Sequence, residues 1–264
     1  MTHQPRKRFG QNFLHDSAII NNILAHAHPA AGEHWVEIGP GLGALTKPLL
    51  DSGIRLDVVE LDRDLVARLQ KQYAGRAELT IHSADALTFD FAALAQPGEK
   101  LRVIGNLPYN ISTPLMFHLV ENTRCIEDMH FMLQKEVVER ICAEPGGKQY
   151  GRLSVMMQYF CETEALFDVP PESFDPAPKV MSAIVRLAPH AQAPVDVANF
   201  RNFSQLVGQA FTQRRKTIRN SLKGLVGPEL FERLDIDANL RAESISLAEF
   251  ARLANHADFQ AENP

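Results

Sequence analysis

The sequence predicts an α/β fold: a mostly parallel sheet with crossover helices, followed by a small all-helical segment. Three observations carry this. Strand-like and helix-like stretches alternate over the first 190 residues. A glycine-rich turn follows an early strand, EIGPGLGALT from Glu37 to Thr46. After the stretch APHAQAPVD (188–196) no β-rich run occurs.

The strands read, in order, as HWVEI (34–38), RLDVVE (55–60), ELTIH (78–82), LRVIGN (101–106) and DMHFML (128–133). Between the second and third, DRDLVARLQKQYA has helical spacing, with Leu61, Leu65, Val66 and Leu69 on one face. EALFDV (164–169) and KVMSAIVRL (179–187) flank the turn-rich PPESFDPAP and are expected to close the sheet, antiparallel. A boundary between 191 and 192 divides the chain into a sheet domain, 1–191, with a basic N-terminal arm, and a helical domain, 192–264.

Composition excludes several classes. The 264 residues are 45% hydrophobic and 22% charged, close to the averages for globular chains, which excludes disordered, collagenous and coiled-coil architectures. No run approaches the ~20 apolar residues of a membrane span, and the start MTHQPRKRFGQN lacks the apolar region of a signal peptide. A cytoplasmic protein without a membrane partner is expected. Cys125, Cys142 and Cys161 are far apart and form no CxxC pair, so they read as buried thiols. No HExxH pattern occurs, and no metal is expected.

The net charge of −5 hides a segregated distribution. Arg6, Lys7 and Arg8 precede the first acid, and Phe200 to Leu225 carries Arg201, Arg214, Arg215, Lys216, Arg219 and Lys223 with no Asp or Glu. Two acid-free basic segments on an acidic chain point to a polyanionic partner.

In the glycine turn, Gly39, Gly41 and Gly43 let the backbone approach a ligand at a helix N-terminus. Glu60 ends the next strand, near the ~20-residue offset of a carboxylate that accepts from ribose hydroxyls. A dinucleotide and a sulfonium nucleoside both remain open on this spacing. Glu37, just before the turn, would repel a pyrophosphate and attract the ammonium of S-adenosylmethionine. Asp85 can accept from an adenine N6 amino group, or can simply cap the following turn.

The tetrapeptide Asn106-Leu107-Pro108-Tyr109 ends the fourth strand, where open α/β sheets collect ligands. Pro108 biases Leu107 toward an extended backbone, so that its carbonyl can leave the ladder and join the Asn106 side-chain oxygen as a pair of acceptors. Such a pair matches the two N–H donors of an exocyclic amine, and Tyr109 offers a face on which an extruded base can stack.

This ordered set resembles the ribosomal RNA adenine dimethyltransferase family, in particular its bacterial small-subunit branch. The resemblance covers nearly the whole chain: RFGQNFL (8–14), the EIGPGLGALT turn, Glu60, Asp85, NLPY (106–109), QKEV (134–137), FDPAPKV (174–180), and Phe211 with Arg214, Arg215 and Lys216. It implies a Rossmann-like, seven-stranded class I methyltransferase sheet, S-adenosyl-L-methionine as methyl donor, and N6,N6-dimethylation of two adjacent adenosines near the 3′ end of 16S rRNA during ribosome biogenesis. Carried over, Gln11, Asn12, Leu14, Gly39, Gly41, Glu60, Asp85 and Asn106 would hold the donor. Asn106, Leu107, Pro108 and Tyr109 would hold the target base, with Phe174 either a second aromatic against it or a hydrophobic anchor in its proline loop. Arg6, Lys7, Arg8, Arg214, Arg215, Lys216 and Arg219 would contact RNA. Leu107, where related DNA adenine enzymes have proline, is expected to give slack for the second methyl group. The expected partner is the small ribosomal subunit precursor, met by a monomer. A macrolide-resistance 23S rRNA adenine methyltransferase, a nicotinamide dehydrogenase and a non-catalytic assembly factor are the alternatives; NLPY speaks against the last two.

Overall fold

The computed structural model describes residues 11–258. Strands β1 (Phe13–Leu14), β2 (His34–Ile38), β3 (Arg55–Glu60), β4 (Leu79–Ser83), β5 (Leu101–Asn106), β6 (Ile126–Gln134), β7 (Cys161–Val169), β8 (Phe174–Asp175) and β9 (Ser182–Pro189) alternate at first with helices. The helices are α1 (Ser17–Ala27), α2 (Thr46–Asp51), α3 (Arg63–Gln72), α4 (Ser112–Val120), α5 (Lys135–Ile141), α6 (Arg152–Phe160), α7 (Phe200–Phe211), α8 (Ile218–Ser221), α9 (Pro228–Arg233) and α10 (Leu247–His256).

Seven strands form one sheet in the order β4-β3-β2-β5-β6-β9-β7, and β1 pairs antiparallel with β8 beside it. Strands β2 through β6 run parallel, and β9 returns antiparallel to β6, Gln134 facing Ser182. The chain winds outward from β2 to β4 and then crosses back to β5 on the other side of β2. That reversal opens a crevice at the carboxyl ends of β2 and β5.

Strand β2 is central and buried at every residue, as parallel strands covered on both faces are. Its two polar residues are partnered: His34 bonds Asp57 at 2.6 Å, and Glu37 accepts from Thr46 Oγ1 at 2.6 Å. Arg102 of β5 makes two 2.8 Å bonds to Asp128 of β6 and lies 4.3 Å over the Trp35 ring. This guanidinium ties three adjacent strands together.

Helix α3 starts at Arg63, capped by Asp62, which accepts from the Asp64 N–H at 3.0 Å. Leu61, assigned to this helix's apolar face from its spacing, instead stands 49% exposed between strand and helix. The Asp62 cap sets the helix start, so periodicity could not extend past it. Cys161 is buried, whereas Cys125 and Cys142 are partly exposed, contrary to the expectation of three buried thiols. Both lie outside the strands, where partial exposure is ordinary. Among the described residues no helix is long and apolar enough to cross a membrane, and no group of three metal-ligating side chains is assembled.

By proximity the chain forms two compact units, one extending through residue 138 with Glu164–Pro189, the other Glu139–Thr163 with the chain from His190 onward. The second stretch begins close to the expected boundary, but the helical unit also takes in a segment from before it. The reason is packing within that unit. Tyr159 of α6 stacks on Phe200 and Phe203 of α7 at 5.6 and 5.1 Å, and Phe211 meets Phe250 of α10 at 5.7 Å.

Gly105 is where β5 can approach β2. A Cβ there would lie 2.6 Å from the Ile38 carbonyl oxygen and 3.0 Å from Leu107 Cδ2. Backbone cannot yield as a flexible side chain does, so Gly105→Ala is expected to destabilise the fold by about 1–3 kcal/mol. Thermal denaturation of this variant checks the claim; an unchanged melting temperature would show that the strands have room to part.

Candidate active site

A cavity of about 320 Å³ occupies the crevice at the strand ends. Its walls come from the glycine turn after β2, Glu60 at the end of β3, Asp85 after β4, the NLPY turn at the end of β5, and a strap from Gln11 to Leu14. All eight expected donor residues, Gln11, Asn12, Leu14, Gly39, Gly41, Glu60, Asp85 and Asn106, line it.

The turn works through left-handed backbone, with φ of +66° at Gly39, +59° at Gly41 and +86° at Gly43. Gly41 has a second constraint, because a Cβ would press to 3.1 Å from the Phe13 ring of the strap. With only hydrogen there, the Gly41 N–H reaches Glu60 Oε2 at 3.3 Å, while the Asp62 N–H donates to Oε1 at 2.8 Å. The two bonds fix the carboxylate and leave lone pairs on both oxygens for a ligand's hydroxyls.

Glu37 lies deeper, 2% exposed, and lines the same cavity. Burial, with Glu60 nearby, pushes its carboxyl up to about 8. Burial also raises Glu60, against the opposing N–H bonds from Asp62 and Gly41. Two carboxyl groups in one buried crevice make a site that a cation relieves and a pyrophosphate would aggravate. This donor set fits a ligand with an ammonium and a ribose. Asp85 is exposed at the rim; its Oδ1 accepts from the Leu87 N–H at 3.0 Å, so the turn-capping reading holds for one oxygen while Oδ2 remains for an amine.

The strap is latched at several points. Gln11 Nε2 donates to Asp62 Oδ2 at 3.2 Å, β1 pairs with β8, and the His15 N–H donates to the Ser173 carbonyl at 3.0 Å. The bond that matters most for chemistry runs from Asn106 Nδ2 to the Asn12 carbonyl oxygen, at 2.9 Å. Commitment of the amide nitrogen to the strap leaves Asn106 Oδ1 as the acceptor end of the side chain. Next to it, the Leu107 N–H donates to Met132 O at 3.2 Å, and among the described residues no backbone N–H donates to the Leu107 carbonyl. Two acceptors therefore sit on consecutive residues at the end of β5.

Pro108 lines the cavity beside them. Tyr109 stands beyond the cavity lining, half-buried, its hydroxyl 2.9 Å from Ser182 Oγ. Burial raises its phenol above the ordinary range, so it stays protonated at neutral pH.

Two expected site residues are buried. Phe174, expected to face the target base, is 3% exposed within the hydrophobic core, paired with Leu14 across the short β1–β8 ladder. A phenylalanine flanked by polar turn residues is drawn inward by burial of its ring, so it supports the strap. The Leu107 side chain is 1% exposed, and the residue lines the cavity.

Of the expected RNA contacts, Arg6, Lys7 and Arg8 lie outside the described residues. Arg215, Lys216 and Arg219 are exposed around the turn between α7 and α8. Arg214 is also exposed but engaged, donating to the Lys148 carbonyl at 2.6 Å with Glu243 at 3.7 Å. Sequence reasoning missed Asp62, Thr46 and Ser182. Asp62 carried a visible capping signal; the other two are hydroxyl partners whose contacts cross between elements.

A family profile described as ribosomal RNA adenine dimethylase matches residues 2–258. "Ribosomal RNA small subunit methyltransferase A" of Pseudomonas aeruginosa is 56% identical over 96% of this chain and 94% of its own length. The protein of the same name from Erwinia tasmaniensis is 58% identical over 96% and 93%. Among solved structures, a dimethyladenosine transferase from Plasmodium falciparum superposes with a TM-score of 0.78 at 26% identity, covering 91% of this chain and 95% of that one. The 23S rRNA methyltransferase ErmE gives 0.73 at 26%, covering 92% and 98%.

Glu37 yields a pH prediction. Its folded pKa is raised from 4.5 to about 8, so the ligand-free protein loses stability as pH rises through that window, relative to Glu37→Gln. A cation in the cavity must expel the proton below about pH 8, so its affinity is expected to rise with pH there, by at most about tenfold per unit, and to level off above. Titration calorimetry with S-adenosylmethionine between pH 6 and 8.5 checks this; a slope that survives in Glu37→Gln would assign the proton elsewhere.

Proposed function

From a chain that belongs to the ribosomal RNA adenine dimethylase family, we infer an enzyme that methylates N6 of two adjacent adenosines near the 3′ end of 16S rRNA, giving N6,N6-dimethyladenosine. It would act in the cytoplasm, as a monomer, on the small ribosomal subunit precursor during ribosome biogenesis. The small-subunit name shared by the relatives at 56–58% identity supports this substrate over the large-subunit one. The observation that carries the chemistry is the bond from Asn106 Nδ2 to Asn12 O, which presents Oδ1 as an acceptor beside the Leu107 carbonyl, to which no backbone N–H of the described residues donates.

S-adenosylmethionine, when bound, supplies a methyl group on a positively charged sulfur. Glu37 would hold the ammonium, Glu60 the ribose hydroxyls, and Asp85 Oδ2 the donor's adenine amine. Gln11 and Asn12 close the cavity, and Leu14 anchors the strap in the core. Asn106 Oδ1 and the Leu107 carbonyl accept from the two N–H groups of the target adenine. An adenine N6 lone pair is delocalised into its ring and is a poor nucleophile. Acceptors on its hydrogens favour a pyramidal nitrogen and stabilise the positive charge that grows there during displacement, and fixed geometry aligns the attack. No strong base is needed, because the cationic product is acidic enough to lose its proton to solvent. Pro108 shapes the turn, and Tyr109 offers its face to the extruded base. Dimethylation requires re-use of the same turn with one N–H fewer, so one acceptor goes unpaired in the second transfer.

Arg215, Lys216 and Arg219, with Arg214 and the N-terminal Arg6, Lys7 and Arg8, are proposed to meet RNA phosphates, in a helical domain that serves rRNA binding.

Incubation of the protein with radiolabelled S-adenosylmethionine and undermethylated small subunits, followed by nucleoside analysis, is expected to yield N6,N6-dimethyladenosine. Loss of label or its appearance in another nucleoside would overturn the reading. Asn106→Ala is expected to slow single-turnover transfer by roughly 10- to 1000-fold, by analogy with the loss of one oxyanion-hole donor. Reversing Arg215, Lys216 and Arg219 to glutamate is expected to weaken ribosome binding and flatten its salt dependence, with donor affinity unchanged. An affinity and salt slope equal to wild type would remove these three residues from the interface.

A further inference from the structure

We propose that Ser182 is a positioning residue for base capture, holding the Tyr109 ring through the hydroxyl–hydroxyl bond at its far end. The proposal rests on the methyltransferase reading above, which gives Tyr109 its base-stacking role.

Ser182 opens β9, where it pairs with Gln134 at the end of β6, and it is 0% exposed. Its Oγ lies 2.9 Å from the Tyr109 hydroxyl, across 73 residues of chain. In a buried setting that bond has no water to replace it, so its loss leaves a polar atom stranded. Tyr109 is thereby fixed twice, by its backbone after Pro108 and by its tip against the sheet. A ring fixed at one end alone swings about its side-chain torsions, and that freedom would have to be lost when a base arrives. A ring fixed at both ends is already a platform, so the target nitrogen meets the acceptors of Asn106 and Leu107 in one orientation.

The same bond bears on what Tyr109 does not do. Burial keeps the phenol protonated, and its oxygen lies against Ser182 Oγ. The hydroxyl is therefore a structural tether, and the methylated amine's proton leaves by another route.

The test uses Ser182→Ala, Tyr109→Phe and the double variant, with Ser182→Thr as the rescue. Tyr109→Phe removes the same bond by deleting one oxygen from a partly exposed ring, which covers the case in which Ser182→Ala fails to fold. Each single variant is expected to lower the single-turnover transfer rate at saturating RNA by about tenfold and to leave S-adenosylmethionine affinity unchanged. The double variant is expected to fall no further than the singles, since both remove one bond, and Ser182→Thr is expected to recover most of the rate. Wild-type rates in both single variants, or losses that multiply in the double, would overturn the proposal. These outcomes differ from failure of the functional reading itself, in which the unaltered protein would produce no N6-methylated adenosine.

Discussion

The orientation of one carboxamide governs the site. Asn106 can present oxygen or nitrogen toward the cavity, and the choice is made by the Asn12 carbonyl, which accepts from Nδ2 and so turns Oδ1 the other way. An amide nitrogen facing a target amine would set donor against donor. The strap from Gln11 to Leu14 thus does more than wall the cavity: it selects the acceptor face of the residue on which the proposed transfer depends. Everything that latches the strap serves this end, including the Gln11–Asp62 bond, the β1–β8 pairing and the burial of Phe174 against Leu14.

The parallel sheet makes this economical. Its topology reverses between β2 and β5, and the loops after β2, β3, β4 and β5 all open at one edge. Glycine lets β5 approach β2 at Gly105 and lets the turn fold beneath Phe13 at Gly41, so the cavity is bounded by backbone and its polar groups are few and fixed. The two buried acids, Glu37 and Glu60, whose carboxyls burial raises, are the groups a cationic nucleoside would compensate. Their burial is strain held for a ligand of that charge.

Much of this was legible in the sequence, for physical reasons. Strands β2, β3 and β5 coincide with HWVEI, RLDVVE and LRVIGN because central parallel strands are short apolar runs with clear ends. The cavity-lining residues were legible because glycine spacing, carboxylates at or after strand ends and the NLPY turn are local patterns. What escaped is non-local. Leu61 fits a helical face, but the Asp62 cap starts the helix only after it, at Arg63. The β1–β8 pair is two residues per strand, too short for any period. Phe174 and Ser182 took their roles from partners far along the chain, Leu14 and Tyr109, that no spacing rule connects. The helical unit's capture of Glu139–Thr163 likewise depends on aromatic packing between α6 and α7 and not on the linker composition around 190.

The most direct test of the acceptor pair is a crystal structure of the protein with the demethylated donor product and adenosine 5′-monophosphate. The nucleotide's N6 is expected within hydrogen-bond reach of both Asn106 Oδ1 and the Leu107 carbonyl, over the Tyr109 ring. A nucleobase lodged elsewhere, or an Asn106 side chain turned to present Nδ2 to the base with its bond to Asn12 broken, would contradict it.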